Sequence, residues 1–90
     1  MERRSRIELL VDVLRLCVTP KIKTRITYEA NLNFQLTGEV VDHLVEGGFL
    51  TECRLKGKTA YRTTEKGLSL LRYWKEFRRR FPELFGGGSE

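Results

Sequence analysis

The period of the apolar residues changes at Gly47-Gly48, and this change limits the folds that are open to the chain. Upstream, apolar residues recur at helical spacing, whereas residues 49–55 and 59–63 are strand-like with a period of two. Lys56-Gly57-Lys58 separates the two strand-like runs, a pattern that is typical of a β-hairpin. A helical pattern returns after Thr64. The sequence therefore predicts an α+β domain, mainly α, in which one hairpin interrupts a series of helices.

Three helices are predicted before the hairpin. Ser5 and Glu8 form a capping-box pattern for a helix over residues 5–18, which Thr19-Pro20 ends. A second helix over residues 21–31 is rich in β-branched residues, so tertiary packing must hold it. Asn33 suits the cap of a third helix over residues 34–46. The set that should face inward on this third helix is Phe34, Thr37, Val40, Val41, Leu44 and Val45.

The last helix is predicted from about residue 64 to residue 81, with Thr64 as its cap and Pro82 marking its end. Residues 1–81 thus form one domain, and residues 82–90, which include Gly86-Gly87-Gly88, are expected to be a flexible tail. The apolar stripe of the last helix either belongs to the core or extends past it as an interface. The candidate dimer-interface residues are Leu70, Trp74, Phe77 and Phe81.

The order of these elements predicts a winged helix-turn-helix: three helices, a β-hairpin wing and a C-terminal helix. The second and third helices are joined by a short turn at residues 31–33, which is the layout of a helix-turn-helix. In that arrangement the later helix can enter a DNA major groove. The hairpin that follows would then be the wing.

Positive charge is concentrated at the two ends of the chain, whose formal net charge is +5. Residues 1–25 carry seven Lys/Arg against three Asp/Glu, residues 26–53 carry none against five, and residues 54–81 carry ten against two. Basic small domains commonly bind polyanions, which favours nucleic acid as the partner. A membrane surface is less favoured, because the core requires the apolar stripe of the last helix.

Enzymatic and metal chemistry find no support in the sequence. Cys17 and Cys53 form no CxxC pair, and His43 is not at ligand spacing from either, so no metal site is predicted. No Ser/His/Asp arrangement and no Gly-rich loop after a strand is recognisable. We expect no catalysis, no cofactor and no small-molecule substrate. Both cysteines fit a reducing compartment, and without a signal peptide or an apolar span the chain is expected to be cytoplasmic.

Three groups of residues are candidates for DNA contact, and each has a simpler alternative. The wing lysines could instead protect an exposed strand edge, and the polar face of the third helix could be a solvated acidic surface that repels phosphate. The start of the second helix could be an ordinary solvated face. The wing group is Arg54, Lys56, Gly57, Lys58 and Arg62; the second-helix group is Lys21, Lys23, Thr24 and Arg25; the recognition-helix group is Gln35, Thr37, Glu39, Asp42 and His43.

One run of the chain resembles a known family. Residues 23–38 fill every fixed position of a K-T-R-I-x-Y-x-A-N-L-x-x-x-L-T-G pattern, residues 44–50 match its L-x-x-x-G-F/L-I/L run, and residues 64–67 match its T-x-K/E-G run. The chain is in this respect similar to the archaeal winged-helix proteins that include the small ten-kilodalton DNA-binding proteins of Sulfolobus. The resemblance covers roughly residues 5–75.

This resemblance implies a winged-helix fold, binding to double-stranded DNA and a homodimer formed through the last helix. In the best-known relatives that helix is long and forms an antiparallel coiled coil, whereas Pro82 ends it early here. Relatives often carry basic residues on the recognition helix, whereas this chain carries Glu39, Asp42 and Glu46. The leading hypothesis is a DNA-binding transcription regulator or chromatin-associated protein. The alternative is a protein-interaction module that uses the acidic third helix.

Overall fold

The described residues form four α-helices, a three-stranded antiparallel sheet and a C-terminal 3-10 helix. The structure is a computed structural model, and it describes residues 4–89. The predicted winged helix-turn-helix architecture is confirmed. Along the chain the elements are α1 (Arg6–Leu16), β1 (Lys21–Ile22), α2 (Lys23–Glu29), α3 (Phe34–Glu46), β2 (Leu50–Leu55), β3 (Lys58–Thr63), α4 (Glu65–Arg80) and a C-terminal 3-10 helix (Pro82–Ser89).

Side-chain caps determine where three of the helices begin. The Ser5 hydroxyl accepts from the Glu8 N–H, and the Glu8 carboxylate accepts from the Ser5 N–H, which is the predicted capping box. Asn33 accepts from the N–H of Leu36 at 2.7 Å to begin α3. Thr64 accepts from the N–H of Gly67 at 3.2 Å to begin α4. The cap residues therefore locate these helix starts from sequence alone.

The second helix is shorter than predicted because a strand occupies its expected start. Residues 21–31 were expected to be helical, but Lys21 and Ile22 pair with Tyr61 and Ala60 of β3. α2 begins only at Lys23. The partner strand β3 lies about forty positions later in the chain, so the local sequence around Lys21 and Ile22 does not predict the pairing. The sheet order is β1-β3-β2.

The core lies between the helices and the inner face of the sheet. Two hydrogen bonds attach the hairpin to α1 and its C-cap: the Thr63 hydroxyl donates to the Leu14 carbonyl at 2.7 Å, and the Thr63 N–H donates to the Cys17 carbonyl at 2.8 Å. The Arg4 guanidinium bridges Asp12 and the Ala30 carbonyl, each at 2.8 Å. The buried core residues are Leu9, Val13, Leu14, Cys17, Ile26, Val40, Val41, Leu44, Leu50 and Tyr61.

Phe34 departs from the predicted inward face of α3. Its side chain is 56% exposed, whereas Thr37, Val40, Val41 and Leu44 are buried as expected. Phe34 opens the helix, and the ammonium of Lys23 lies 5.6 Å from the centre of its ring. The ring is thus covered in part by a cation rather than by the core.

A tight two-residue turn makes the wing. Lys56 and Gly57 both have positive φ, 52° and 80°, as a type I′ turn requires. The pairing of β2 with β3 is regular from Leu50↔Thr63 to Leu55↔Lys58. This register gives the wing a defined twist and orients its charged side chains.

α4 packs on the hydrophobic core through its first half. Gly67 is buried, and Leu70 and Leu71 pack partly against the core. Farther along, Phe77 and Phe81 are each 42% exposed. The C-terminal end of the helix therefore extends past the core, and the use of its apolar stripe as an interface stays a prediction.

The segment after α4 has a conformation that the sequence did not predict. Where a flexible tail was expected, the chain forms the 3-10 helix Pro82–Ser89. The Phe85 ring meets Trp74 edge-on at 5.3 Å and Phe77 at 5.7 Å, and Arg78 lies 4.7 Å from its centre. Aromatic contacts with α4 thus explain why this segment turns back. Glu90 lies outside the described residues.

Candidate nucleic-acid interface

The wing presents positive charge on both sides of its turn. Lys56, Lys58 and Arg62 are exposed, and Lys58 and Arg62 share one face of β3 because their spacing is even. Arg54 crosses the turn instead, donating to the Gly57 carbonyl and to Thr59 Oγ1 at 3.3 Å. Within residues 4–89 neither wing lysine has an acidic partner. Arg54 therefore stiffens the turn, and the lysines are available to an anion.

The cations at the start of α2 are held by the fold itself. Lys21 Nζ donates to the Leu16 carbonyl at 3.0 Å and to the Thr19 hydroxyl at 2.8 Å, which satisfies the end of α1. Lys23 lies over Phe34, and Arg25 Nε contacts Glu29 at 2.8 Å. Thr24 is exposed. Of the predicted group, Lys21 thus has a structural role, and Arg25 and Thr24 face solvent.

The outward face of α3 is acidic over most of its length. Gln35, Glu39, Asp42 and Glu46 are all exposed and follow one another at helical spacing. Among the described residues no ion pair involves any of the three carboxylates. The helix therefore offers an amide near its N-terminus and a row of negative charge beyond it.

Two residues of the predicted recognition group lie elsewhere than on this outward face. Thr37 is 0% exposed, and its hydroxyl donates to the Asn33 carbonyl at 3.0 Å and accepts from the Thr27 hydroxyl at 2.8 Å. This corrects the expectation that Thr37 approaches DNA, since its polar group is used inside the fold. His43 is exposed on the flank toward α1, where Arg6 lies 3.2 Å from Nδ1.

A groove beside the wing contains residues that sequence analysis did not single out. Its floor is formed by Pro20, Ile22 and Leu55, and it encloses about 460 Å³. Leu55 is 37% exposed and lies outside the core cluster. An apolar residue next to a basic hairpin turn is a signal that could have identified it. The other lining residues are Lys21, Arg25, Lys56 and Lys58.

The candidate dimer residues lie along one side of α4. Leu70, Trp74, Phe77 and Phe81 line a shallow apolar surface together with Tyr73, which is 75% exposed. The rings of Phe77 and Phe81 lie 5.3 Å apart. The structure brings the four predicted residues together on one continuous face.

The basic end of α4 is partly neutralised by its own carboxylate. Hydrogen bonds from Arg79 and then Arg80 lower the pKa of Glu76, and the same contact raises the pKa of Arg79. Arg79 lies 2.7 Å and Arg80 2.9 Å from Glu76. These arginines therefore carry less free positive charge than the wing does.

Other classes of site leave no trace in the part of the chain that the structure describes. No group of three His, Cys, Asp or Glu side chains there could hold a metal ion. No helix among these residues is both long enough and apolar enough to span a bilayer.

The order of helices, the wing and the buried face of α3 match one family. The family model described as winged helix-turn-helix covers residues 3–81. The chain belongs to this winged helix-turn-helix family. A DNA-binding protein and a transcriptional regulator are among its structural neighbours.

Three comparisons give the degree of similarity. A crystal structure of Sso10a-2, a DNA-binding protein from Sulfolobus solfataricus, superposes with a TM-score of 0.79 at 29% identity, covering 96% of this chain and 90% of that one. An uncharacterised protein of Methanocaldococcus jannaschii is 33% identical over 69 residues, which are 76% of this chain and 67% of the relative. Sco5413, a MarR family transcriptional regulator from Streptomyces coelicolor, shares the fold at 19% identity with a TM-score of 0.76, covering 90% of this chain and 59% of that one. The expected similarity to archaeal winged-helix proteins is confirmed.

Proposed function

We propose that this winged-helix protein binds double-stranded DNA, acting in the cytoplasm as a transcription regulator or a chromatin-associated protein. The observation that carries the proposal is the wing, in which exposed Lys56 lies in the turn that Arg54 stiffens and exposed Lys58 follows it. Cations fixed on a rigid hairpin gain affinity by releasing counterions from phosphates. Similarity to a Sulfolobus DNA-binding protein at 29% identity supports the same function.

The acidic row of α3 determines how the duplex is approached. Carboxylates at Glu39, Asp42 and Glu46 would face phosphates if the whole helix lay in a major groove, and this repulsion is costly. Gln35 lies in the first turn of α3, next along the chain to Phe34, whose ring the Lys23 ammonium faces. We propose that only this end of α3 meets base edges, where an amide can pair with adenine. The wing and Arg25 would hold the backbone.

We further propose that two copies pair through the apolar side of α4. Phe77 and Phe81 would be the central anchors, since exposed aromatic side chains gain most from burial at an interface. Such a homodimer would carry two wings on one particle and so contact two stretches of one duplex.

The test of DNA binding is fluorescence anisotropy with a random-sequence duplex over a series of salt concentrations. The log of the binding constant should fall steeply with the log of salt, by about 0.9 for each phosphate contacted. The variant K56N/K58Q removes two wing charges, with Asn chosen because it tolerates the positive φ of the turn. The control R72Q/K75Q removes two exposed charges from α4.

A flatter slope for the wing variant, with the control near wild type, supports the proposal. Equal losses in both variants would mean that net charge alone attracts DNA and that the wing makes no contact. Absence of binding at low salt would reject DNA as the partner.

The acidic row favours a second candidate, a protein-interaction module. Three exposed carboxylates without partners in the described chain form a surface that suits a basic protein. In that case, neutralising the three carboxylates leaves the affinity for DNA unchanged and lowers the affinity for the protein partner.

A further inference from the structure

The groove beside the wing combines two chemistries that a DNA strand also combines. Pro20, Ile22 and Leu55 form an apolar floor, and Arg25, Lys56 and Lys58 stand around it. A sugar–phosphate strand alternates apolar deoxyribose faces with anionic phosphates. Resting on the DNA binding proposed above, we infer that this groove seats one strand of the duplex, with a deoxyribose on the floor and the flanking phosphates on the rim.

The groove exists because β1 ends before its partner strand does. The last β1 pair is Ile22↔Ala60, after which the chain turns into α2 at Lys23. β3 continues to Lys58 beyond that point, paired there only with Leu55 of β2. The space that β1 would have filled is open, and it lies between the start of α2 and the tip of the wing.

The apolar side chain of Leu55 is not explained by packing within the fold. It lies at the last pair before the turn, 37% exposed and outside both the core and the residues packed against it. Lysines flank it on the turn and across the strand pair. A polar residue would satisfy the hairpin equally well, so the apolar side chain fits an apolar contact with a ligand.

Arg25, Lys56 and Lys58 at the rim of the groove differ in how firmly other side chains fix their positions. Such a mixture of fixed and mobile cations suits an extended anion. Arg25 is fixed through Nε to Glu29 at 2.8 Å, which orients its guanidinium on one side of the groove. Lys56 and Lys58 have no hydrogen-bond partner within residues 4–89, and they stand on the other side. The seat therefore has one oriented and two adjustable contacts for successive phosphates.

The floor favours DNA over RNA. A ribose seated there would bury its 2′-hydroxyl against carbon, and a buried hydroxyl without a partner is unfavourable. The 2′-hydroxyl is also the group by which proteins distinguish the two nucleic acids. The groove thus selects the sugar, while the wing charges attract either polyanion.

The variant Leu55→Asn separates this seat from simple charge attraction. It keeps every cation, so the salt slope should equal that of wild type, while affinity for duplex DNA falls by about fivefold at each salt concentration because an apolar contact is lost. Lys58→Gln, by contrast, removes a cation, so it should flatten the slope of log binding constant against log salt by about 0.9. The control is Ile7→Asn, since Ile7 is 39% exposed and lies on α1 away from the groove.

The sugar preference gives a second readout with the same proteins. Wild type should bind a DNA duplex more tightly than an RNA duplex of the same sequence, and Leu55→Asn should narrow that ratio. Thermal unfolding checks that the wing variants remain folded, as expected for an exposed position.

The outcomes of these experiments distinguish a failure of the proposed strand seat from a failure of the proposed DNA binding. DNA binding with a normal salt slope and no effect of Leu55→Asn overturns the seat and leaves DNA binding in place. Loss of affinity together with a flatter slope also overturns it, because the change would then act through the charges. No DNA binding by wild type overturns both.

Discussion

Single residues of α2 and α3 show how a polar group can be diverted from a surface role. The Thr27 hydroxyl lies 2.9 Å from the Lys23 carbonyl and 2.8 Å from the Thr37 hydroxyl, which in turn donates to the Asn33 carbonyl. These contacts join α2 to the first turn of α3. The angle between the two helices of the helix-turn-helix therefore depends on buried hydroxyls.

We expect Thr37→Val to lower the free energy of unfolding by about 1–2 kcal/mol, because the hydroxyl link between the helices is lost. DNA affinity, measured well below the melting temperature, should stay within a factor of about two of wild type. Urea unfolding and anisotropy measure the two quantities. The exposed Thr24→Val is the control for stability. A loss of DNA affinity without a loss of stability would mean that Thr37 reaches the duplex after all.

Cys17 couples stability to alkaline pH. Burial raises the pKa of its thiol from 9.0 to about 11; Lys21 opposes this shift by a smaller amount, and Cys53 and Glu29 add slightly to it. Between these values the unfolded chain has lost the proton that the folded chain retains, so stability falls as pH rises. This contribution to the free energy of unfolding is fully present below pH 9 and is lost as the pH rises to about 11, and it amounts to about 3 kcal/mol at 1.36 kcal/mol per pH unit.

Urea unfolding at intervals between pH 8 and 11 measures this loss, and Cys17→Ala should reduce its slope. Tyr61, whose pKa burial also raises, gives a change of the same sign in both proteins. Equal pH dependence in wild type and variant would exclude the thiol as the cause.

At the scale of elements, Gly67 sets the distance between α4 and the hairpin. A Cβ there would lie 2.5 Å from the Phe49 carbonyl oxygen and 2.5 Å from Thr63 Cγ2. Both atoms are fixed, one by the backbone and one by a buried side chain. Glycine is therefore needed at this position so that α4 can approach Phe49 and Thr63 closely. This explains the glycine in the T-x-K-G run at the start of the helix.

Gly67→Ala should destabilise the protein by about 2–3 kcal/mol even though alanine is the better helix former. The matched control is Gly38→Ala in α3, where the added Cβ meets only Lys23 Nζ at 3.8 Å. That substitution should stabilise the protein by about 0.5–1 kcal/mol. Thermal unfolding followed by circular dichroism measures both, and similar shifts for the two variants would contradict the packing argument.

The charge on α3 gives a test of how that helix meets DNA. Neutralising Glu39 and Asp42 as E39Q/D42N should tighten binding at least roughly threefold at low salt, because charges within about 10 Å of phosphates repel them. The control E65Q/E83Q removes two acids from outside α3. If both pairs tighten binding equally, α3 lies far from the duplex and the protein-interaction candidate gains support.

Elements whose ends are marked by cap or turn residues could be predicted from the sequence. Elements that form only by pairing with a distant part of the chain could not. Asn33 and Gly47 bound α3 at the predicted residues, and Lys56-Gly57 mark the turn of the wing. β1 could not be predicted, because its two residues become a strand only by pairing with β3. The groove was missed for the same reason, since its floor joins Ile22 to Leu55 across the sheet. The charged residues of the wing could be named from the sequence because charge can be counted without knowing the fold, and their contact with DNA stays a prediction.

The whole molecule is elongated, measuring 44 × 30 × 19 Å, because α4 extends beyond the core. This helix is about 24 Å long at 1.5 Å per residue, enough for a short antiparallel pair with a second copy. The 3-10 helix packs on Trp74 and Phe77 through Phe85, while Tyr73, Phe77 and Phe81 remain exposed in part. This exposed part of the aromatic face is the surface that a second copy would bury.

We therefore expect a dimer at micromolar concentration in light scattering, and a monomer for Phe77→Gln/Phe81→Gln, because the central anchors are removed. Tyr28→Gln is the control, since Tyr28 is 79% exposed on α2 outside this face. Dimerisation should also govern DNA binding, because two wings on one particle contact about twice as many phosphates as one. The salt slope of the double variant should then be about half that of wild type. A monomeric wild type would assign the aromatic face to another partner, and a dimeric variant with an unchanged slope would place the contact between copies elsewhere on the molecule.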